Sequence, residues 1–450
     1  MKISQINAEL TRNFWIELTP NRIFMMPIIL GLLFLLVGIP DSSRYSTLLY
    51  ASGGMIFFLL HIWGNKQVAD AVIHEVNERT WDNQRLTLIR PFELAIGKLF
   101  GSTMFPWYGC IYCIALYVYC SLHLQDTHKY IMLLGHSLLS AILTHSFVLS
   151  ISILGIQKKR NQEKISGTYY YILGIALSFA LLGFSIQTIS QDLTTTLHWY
   201  FTTYAWENFY LFSLLCFFVW SFTSLFRCMR KELNYSNGAI VWVGFLLFLA
   251  IYIIGFTASI DLSKEGLIHS MPSLLLIYTA YHCICFFMAF NESKDIVALK
   301  IVYTSLKTGN LRDLSENIPL WLVTLVISAI TAILYLLSGI YSTITNGSSW
   351  LTNNPTFFTL SLLSFLLRDI GILYLSNASP KSKRGDIATI VYLALLYLLI
   401  PSTLHLLGIR ALDDFFYPNI EGKNTFSFSF PLLQAILTTS IAFYKYKRNS

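Results

Sequence analysis

The feature that most constrains this chain is a series of apolar runs, each long enough to form a helix that crosses a lipid bilayer. Such a helix needs about 20 mostly apolar residues. The runs are centred near residues 32, 54, 105, 144, 178, 217, 248, 281, 329, 366, 396 and 436. Between them, no stretch is long and polar enough to form a soluble domain. The sequence therefore predicts an all-α integral membrane protein with about twelve transmembrane helices.

The composition agrees with a membrane chain. Only 12% of the residues are charged and 55% are hydrophobic, whereas soluble domains carry about a quarter charged residues. This excludes a soluble enzyme, a nucleic-acid-binding protein and a disordered scaffold. The net charge of +7 does not indicate a nucleic-acid partner, because in a membrane chain the position of the charges matters more than their sum.

The basic residues predict the orientation of the chain. If the N-terminus is cytoplasmic, the inside segments hold 25 of the 31 Lys and Arg residues and the outside loops hold five. The remaining one, Arg368, lies within a span. This alternation follows the positive-inside rule in every loop. Both termini are therefore predicted to be cytoplasmic.

The N-terminal segment is polar, and its apolar residues recur at the spacing of a helix face: Ile3, Ile6, Leu10 and Phe14. This pattern predicts an amphipathic helix on the membrane surface. The apolar run that follows has no cleavage motif, so we expect it to remain as the first transmembrane helix and not to act as a signal peptide.

The chain contains an internal repeat. Residues 80–94 align without gaps on residues 308–322, and residues 137–152 align on residues 361–376 through a shared SLLS. The repeat predicts two parallel six-helix halves, and transporters with such halves often have their path between them. The two predicted halves are residues 1–237, with a loop at 65–91, and residues 238–450, with a degenerate loop at 291–317.

The loop at 65–91 has a helical pattern. Its apolar residues are spaced for an amphipathic helix: Val68, Val72, Ile73 and Val76. A turn at Thr80–Asn83 follows, and Pro91 suits the first turn of the next helix.

This loop resembles the first cytoplasmic loop of permeases in the type-2 ABC exporter superfamily. The shared elements are an acidic helix, a threonine-containing turn, a leucine-rich segment, a proline and a Gly-Lys pair, here Glu75/Glu78, Thr80, Leu86/Leu88, Pro91 and Gly97-Lys98. Trp81-Asp82 with Gln84-Arg85 resembles a bacterial subgroup with the signature TWD-x-QRL. Arg79 departs from the family, which often has glycine before the threonine. The resemblance covers residues 1–237 and fades in residues 238–450.

The resemblance implies the permease of an exporter in a bacterial inner (plasma) membrane. It also implies that the chain docks on two separate ABC ATPase subunits and is not itself an enzyme. ATP and Mg would be bound by those subunits, because Gly97-Lys98 has Phe92 where a P-loop has its first glycine and Leu99 where a P-loop has Ser or Thr. Membrane lipid is the other expected partner. Whether an accessory periplasmic protein also binds stays open. The resemblance also implies a re-entrant hairpin at residues 191–209, with a counterpart at 411–428. The implied coupling residues are Glu75, Glu78, Thr80, Trp81, Asp82 and Arg85 in the first half and Thr308, Asn310 and Arg312 in the second.

Trp81 is predicted to anchor the loop in the ATPase, and Asp82 is predicted to cap the helix that follows. The second loop has Gly309 where the first has Trp81, so the first half is expected to dock more firmly.

One charged pair, Arg368-Asp369, lies deep in the tenth predicted span. The repeat places Thr144 and His145 at the same depth in the fourth. Intramembrane charges are functional hypotheses by default, and a structural lock between helices remains the alternative. The scattered His61, His136 and His282, and the isolated pair Cys110 and Cys113, do not form a four-ligand site, so no metal is expected.

Two other classes of protein remain possible from the sequence. A membrane transferase would need acid–base residues in an outer loop, where Asp413-Asp414 is the only carboxylate pair. An ion-coupled secondary transporter would need more than one membrane-buried carboxylate.

Overall fold

The structure is a computed structural model and describes residues 7–38, 44–86, 89–158, 164–190, 196–257, 271–294, 296–346, 355–378, 385–408, 415–418 and 426–449. It divides into two compact units, Met1–Leu197 with Thr203–Asn237, and His198–Thr202 with Gly238–Ser450. The parallel duplication itself stays a prediction.

Eleven helices among the described residues are long and apolar enough to cross a membrane. The chain is therefore an all-α, multi-pass membrane protein. These helices correspond to the first eleven predicted spans. The third lies further along the chain than expected, since it begins at Met104 whereas its predicted centre is near residue 105. The twelfth predicted span lies in a further helix, Phe426–Asn449, which is not among the eleven. The predicted number of twelve is thus confirmed for eleven spans only.

The first unit begins with a short helix that precedes the first span. Its helices are α1 (Ala8–Glu17), α2 (Pro20–Gly38), α3 (Arg44–Asn77), α4 (Trp81–Arg85), α5 (Pro91–Ser102), α6 (Met104–Leu122), α7 (Thr127–Lys158), α8 (Thr168–Ser190) and α9 (Trp206–Glu232). Helix α3 carries a π-helical segment, Phe57–Gly64. It continues from a span into the predicted coupling loop with one turn residue, Val72, between Asn65–Ala71 and Ile73–Asn77.

Helix α7 is the most buried span of the first unit, and α8 and α9 pack against it. Its buried face carries small serines, and their hydroxyls bond to carbonyls one turn back along the same helix. Ser140 Oγ donates to Ser137 O at 2.9 Å and Ser150 Oγ donates to Ser146 O at 2.7 Å. Small residues let membrane helices approach closely where lipid gives no hydrophobic driving force.

The connection between α8 and α9 contains two short strands, β1 (Thr196–Trp199) and β2 (Thr202–Ala205), which pair with each other. Threonine and aromatic residues favour strands, which explains why this predicted hairpin is a β-hairpin. Its re-entrant character stays a prediction. The proposed counterpart at 411–428 lies mostly outside the described residues.

The second unit contains the remaining helices. They are α10 (Ile240–Thr257), α11 (Met271–Asn291), α12 (Ile296–Thr308), α13 (Leu311–Asn317), α14 (Leu320–Asn346), α15 (Pro355–Asn377), α16 (Gly385–Leu406) and α17 (Phe426–Asn449). The most extensive packing in this unit is between α15 and α17 and between α11 and α14.

Candidate coupling site

A tight turn ends α3 and begins α4. Arg79 has a φ of +59°, a left-handed conformation that costs a residue with a side chain about 1 kcal/mol or more. This is the position where the permeases that the loop resembles often carry glycine. The amide of Thr80 donates to Glu75 O at 2.9 Å, and its hydroxyl reaches the same carbonyl at 3.2 Å. The turn is therefore fixed by backbone geometry.

Trp81 holds α4 against the end of α9. Its side chain is 3% exposed, and its indole N–H donates to Glu232 Oε2 at 3.1 Å. Arg85 Nε donates to Glu232 O at 2.7 Å. The indole is thus anchored inside this chain and is not presented to a partner. We therefore interpret Trp81 as a residue that positions the loop within this chain, and not as a side chain that docks on a partner.

Glu75 lies at the centre of an ionic cluster that joins three helices. It pairs with Arg12 of α1 and with Lys98 of α5, and Gln84 Nε2 donates to its Oε1 at 2.8 Å. Lys98 Nζ also lies 2.8 Å from Oε1 of Glu9. Lys98 is 2% exposed and Glu9 3%. These two buried charges are tolerated because each one is paired.

Two glycines let α1 lie directly on α5. A Cβ at Gly97 would come within 2.6 Å of Glu9 Cβ, and one at Gly101 within 2.6 Å of Asn13 Nδ2. Asn7 adds a bond across the same contact, since its Nδ2 donates to Glu93 O at 2.6 Å. The N-terminal helix therefore belongs to the coupling site, with its acidic and amide side chains turned toward α5.

The tip of the loop is exposed. Glu78, Thr80 and Asp82 face away from the unit, and Leu86 is 85% exposed. Asp82 does not cap a helix. Thr80 is the N-cap residue of α4 and makes no side-chain cap bond, whereas Asp82 lies one residue inside α4 and contacts Arg85 at 3.1 Å. The predicted capping role of Asp82 was therefore wrong.

The second loop forms a helix–turn–helix of its own. Gly309 takes a φ of +70° between α12 and α13, and Asn310 caps α13 by accepting from the amide of Asp313 at 3.3 Å. Thr308 bonds back to Thr304 O at 2.9 Å within α12, and Arg312 is exposed. This loop has Gly309 in place of the Trp81 anchor. It makes a different ionic contact, between Lys294 Nζ and Asp386 Oδ1 of α16 at 3.6 Å.

The predicted intramembrane residues fall into two separate arrangements. In the first unit, the wider π-helical turn of α3 leaves carbonyls open to side-chain donors. His145 Nε2 bonds to Leu60 O at 2.8 Å, and Asn65 Nδ2 donates to His61 O at 2.7 Å. Gly64 leaves room for the imidazole, since a Cβ there would lie 2.5 Å from His145 Nε2.

In the second unit, Arg368 is 2% exposed, and its Nε donates to Asp369 Oδ1 at 2.9 Å. Tyr397 OH donates to the other carboxylate oxygen at 2.7 Å, and Arg368 Nη1 donates to Gln434 Oε1 at 3.1 Å. The guanidinium also lies 4.4 Å from the ring centre of Phe365. The pair thus joins α15, α16 and α17.

Sequence reasoning missed Glu9, Arg12 and Glu232 as site residues and treated Lys98 only as a family marker. The one local signal for them was the pair of glycines four residues apart, Gly97 and Gly101, which marks a helix face that another helix can approach. Among the described residues no group of three or more His, Cys, Asp or Glu side chains could hold a metal.

No protein-family model matches the chain, and no curated protein or solved structure matches it either. The resemblance to ABC permeases therefore depends on the loop residues quoted above.

Proposed function

We propose that this chain is the permease subunit of an ATP-driven ABC transporter and that separate ATPase subunits dock on the tip of its 65–91 loop. The observation that most supports this is the combination of an exposed tip with a rigid base. Glu78 and Leu86 are exposed, while Glu75 and Trp81 tie the same loop to neighbouring helices.

A lever between an ATPase and a membrane helix must be stiff. A displacement at the tip passes into α3, because helical segments follow one another from Arg44 to Asn77 with a single turn residue, Val72, between them. It also reaches α5 through the Glu75–Lys98 ion pair and α9 through the Trp81–Glu232 bond. One loop thus acts on three helices that belong to or lead into spans.

We further propose that the loop faces the cytoplasm of a bacterial inner membrane, that transport is outward, and that one chain works with two ATPase subunits. The distribution of basic residues supports the orientation. The resemblance of the loop supports the direction of transport and the membrane, and the internal repeat supports the stoichiometry.

Crosslinking from the tip tests the proposal. A photoreactive residue at Thr80 should form a covalent product with a polypeptide that carries a P-loop. The matched position is Gln125, which is exposed after α6 and is predicted to lie on the opposite side of the membrane. The proposal would be contradicted if both positions gave a crosslinked product of the same size. It would also be contradicted if the polypeptide crosslinked to Thr80 had no P-loop.

A pair of exposed leucines refines the test. Leu86 is 85% exposed in the first loop and Leu311 is 76% exposed in the second. If Leu86 fills an apolar pocket on the ATPase, Leu86→Ser should weaken docking by about 2 kcal/mol, as for an interface hot spot. Leu311→Ser should have a smaller effect, and equal effects would show that the two loops dock alike.

An ion-coupled transporter is the second candidate, because Asp369 is a carboxylate buried in a span. The pairing of Asp369 with Arg368 and Tyr397 makes it less available to a coupling ion. Uptake or efflux in vesicles that follows an ion gradient and is independent of ATP would favour this candidate.

A further inference from the structure

An apolar groove opens on the first unit beside the first span. It has a volume of about 410 Å³, within the range of about 300 to 1,000 Å³ that is typical of small-molecule pockets. Helices α2, α3 and α6 form its walls, which include Met25, Ile29, Met55, Phe58 and Phe105. Such walls suit a hydrocarbon chain.

The α2 wall of the groove is held in place by a hydroxyl group. Pro27 lies inside α2 and has no N–H to donate to the carbonyl of Ile23. Tyr108 of α6 supplies the missing donor, with its hydroxyl 3.0 Å from Ile23 O. This bond ties α2 to α6 next to the groove, so the wall is fixed before any ligand binds.

The mouth of the groove carries one cation, whose ion-pair partner Glu17 lies beside the groove and not among its lining residues. Arg22 lines the groove, its guanidinium lies 5.6 Å from the ring centre of Phe105, and half of its side chain is exposed. Nη1 of Arg22 lies 2.9 Å from Glu17 Oε2. A ligand at this mouth therefore meets a cation and an anion side by side.

The residues that precede the first span in sequence are of the kind that marks the level of lipid headgroups. Phe14, Trp15 and Ile16 are exposed at the end of α1, a few residues before the first span begins at Pro20. Exposed aromatic residues at the start of a span mark the membrane interface. The apolar groove then extends from that level toward the hydrocarbon core.

We propose that this groove binds one phospholipid whose headgroup carries an ammonium group. An acyl chain lies between α2, α3 and α6, the phosphate pairs with Arg22, and the ammonium pairs with Glu17. A purely anionic headgroup would meet a single cation whose charge Glu17 already offsets, whereas a zwitterionic headgroup matches both charges. This inference does not depend on the proposed transport function.

Native mass spectrometry of the purified full-length chain tests the site, with phosphatidylethanolamine and phosphatidylglycerol of the same acyl chains as probes. We expect the wild-type chain to retain one phosphatidylethanolamine. Its affinity should fall about tenfold, equivalent to about 1.4 kcal/mol, in Arg22→Gln and in Ile29→Trp, which fills the groove from an exposed position. Glu17→Gln should weaken phosphatidylethanolamine binding but not phosphatidylglycerol binding.

The matched control is Arg44→Gln. Arg44 is exposed and is not among the residues that line the groove, and its Nε donates to a helix-end carbonyl, Gly38 O, at 3.2 Å. This variant should bind phosphatidylethanolamine like the wild type. Equal losses in Arg22→Gln and Arg44→Gln would overturn the site. Phosphatidylglycerol binding as tight as phosphatidylethanolamine binding would overturn the headgroup assignment.

Discussion

Replacing Lys98 with methionine tests whether the ionic cluster fixes the coupling loop. Methionine keeps the unbranched apolar stem and removes only the charge. In the wild type, Lys98 Nζ lies 2.8 Å from Glu9 Oε1 and also pairs with Glu75. Without it, two carboxylates share Arg12 as their only cation in the described cluster.

The expected cost follows from burial. Removing one partner of a buried ion pair costs about 3–5 kcal/mol, because the other charge is left uncompensated. Arg12 is 39% exposed and still pairs with both carboxylates, so we expect the lower value, about 3 kcal/mol. At about 1.4 kcal/mol for each tenfold change, the loop should open about 100 times more often.

Hydrogen–deuterium exchange of the amides in Trp81–Arg85 measures this opening, because local exchange reports local opening free energy. The double variant Lys98→Met with Glu9→Gln removes one charge of each sign. It should exchange more slowly than the single variant, with a coupling energy of about 2 kcal/mol, within the range for contacting residues.

The control is Lys300→Met, at an exposed lysine of α12, which should leave the exchange of α4 unchanged. If the amides of α4 exchange in Lys98→Met at the same rate as in Lys300→Met, the reasoning is refuted. It is also refuted if they exchange no more slowly in the double variant than in Lys98→Met.

Three further substitutions test other contacts. Trp81→Ala should cost about 3–5 kcal/mol, as for other buried large-to-small changes, and should speed exchange in the loop even without a partner; unchanged exchange would mean that Trp81 acts only through a partner. Gly64→Ala should displace the imidazole that bonds to Leu60 O and cost about 1–3 kcal/mol, seen as a lower melting temperature; unchanged melting would contradict the role given to the π-helical turn. Asp369→Asn should lower the melting temperature more than the double variant with Arg368→Gln, because the single change leaves a buried cation unpaired; the reverse order would remove the structural account of the pair.

The sequence predicted the parts of the fold that depend on local pattern. Eleven of the twelve apolar runs form helices that are long and apolar enough to cross a membrane, because a bilayer requires about 20 apolar residues wherever a helix crosses it. The sequence also predicted the apolar face of the loop helix. Val68, Val72 and Ile73 are buried, while Val76, the fourth residue of that face, is half-buried.

The contacts of the candidate site could not be predicted in this way. Trp81 and Glu232 are 151 residues apart, and no local pattern pairs an indole with one carboxylate among many. The sequence indicated that Trp81 is an anchor, but only the packing of α4 against α9 shows that the anchor lies in the same chain. The π-helical turn at Phe57–Gly64 also has no signature, because its sequence is as apolar as the rest of the span.

The central claim is tested most directly by the rate of ATP hydrolysis. The rate is measured for the purified chain alone and for the chain together with the P-loop subunit that crosslinks to Thr80. The account predicts no hydrolysis by the chain alone, since its Gly-Lys pair lacks the rest of a P-loop. It also predicts that the chain changes the rate of the subunit, and that this change is lost when the loop is loosened by Trp81→Ala. Robust hydrolysis by the chain alone, or a subunit whose rate is the same with and without the chain, would contradict the account.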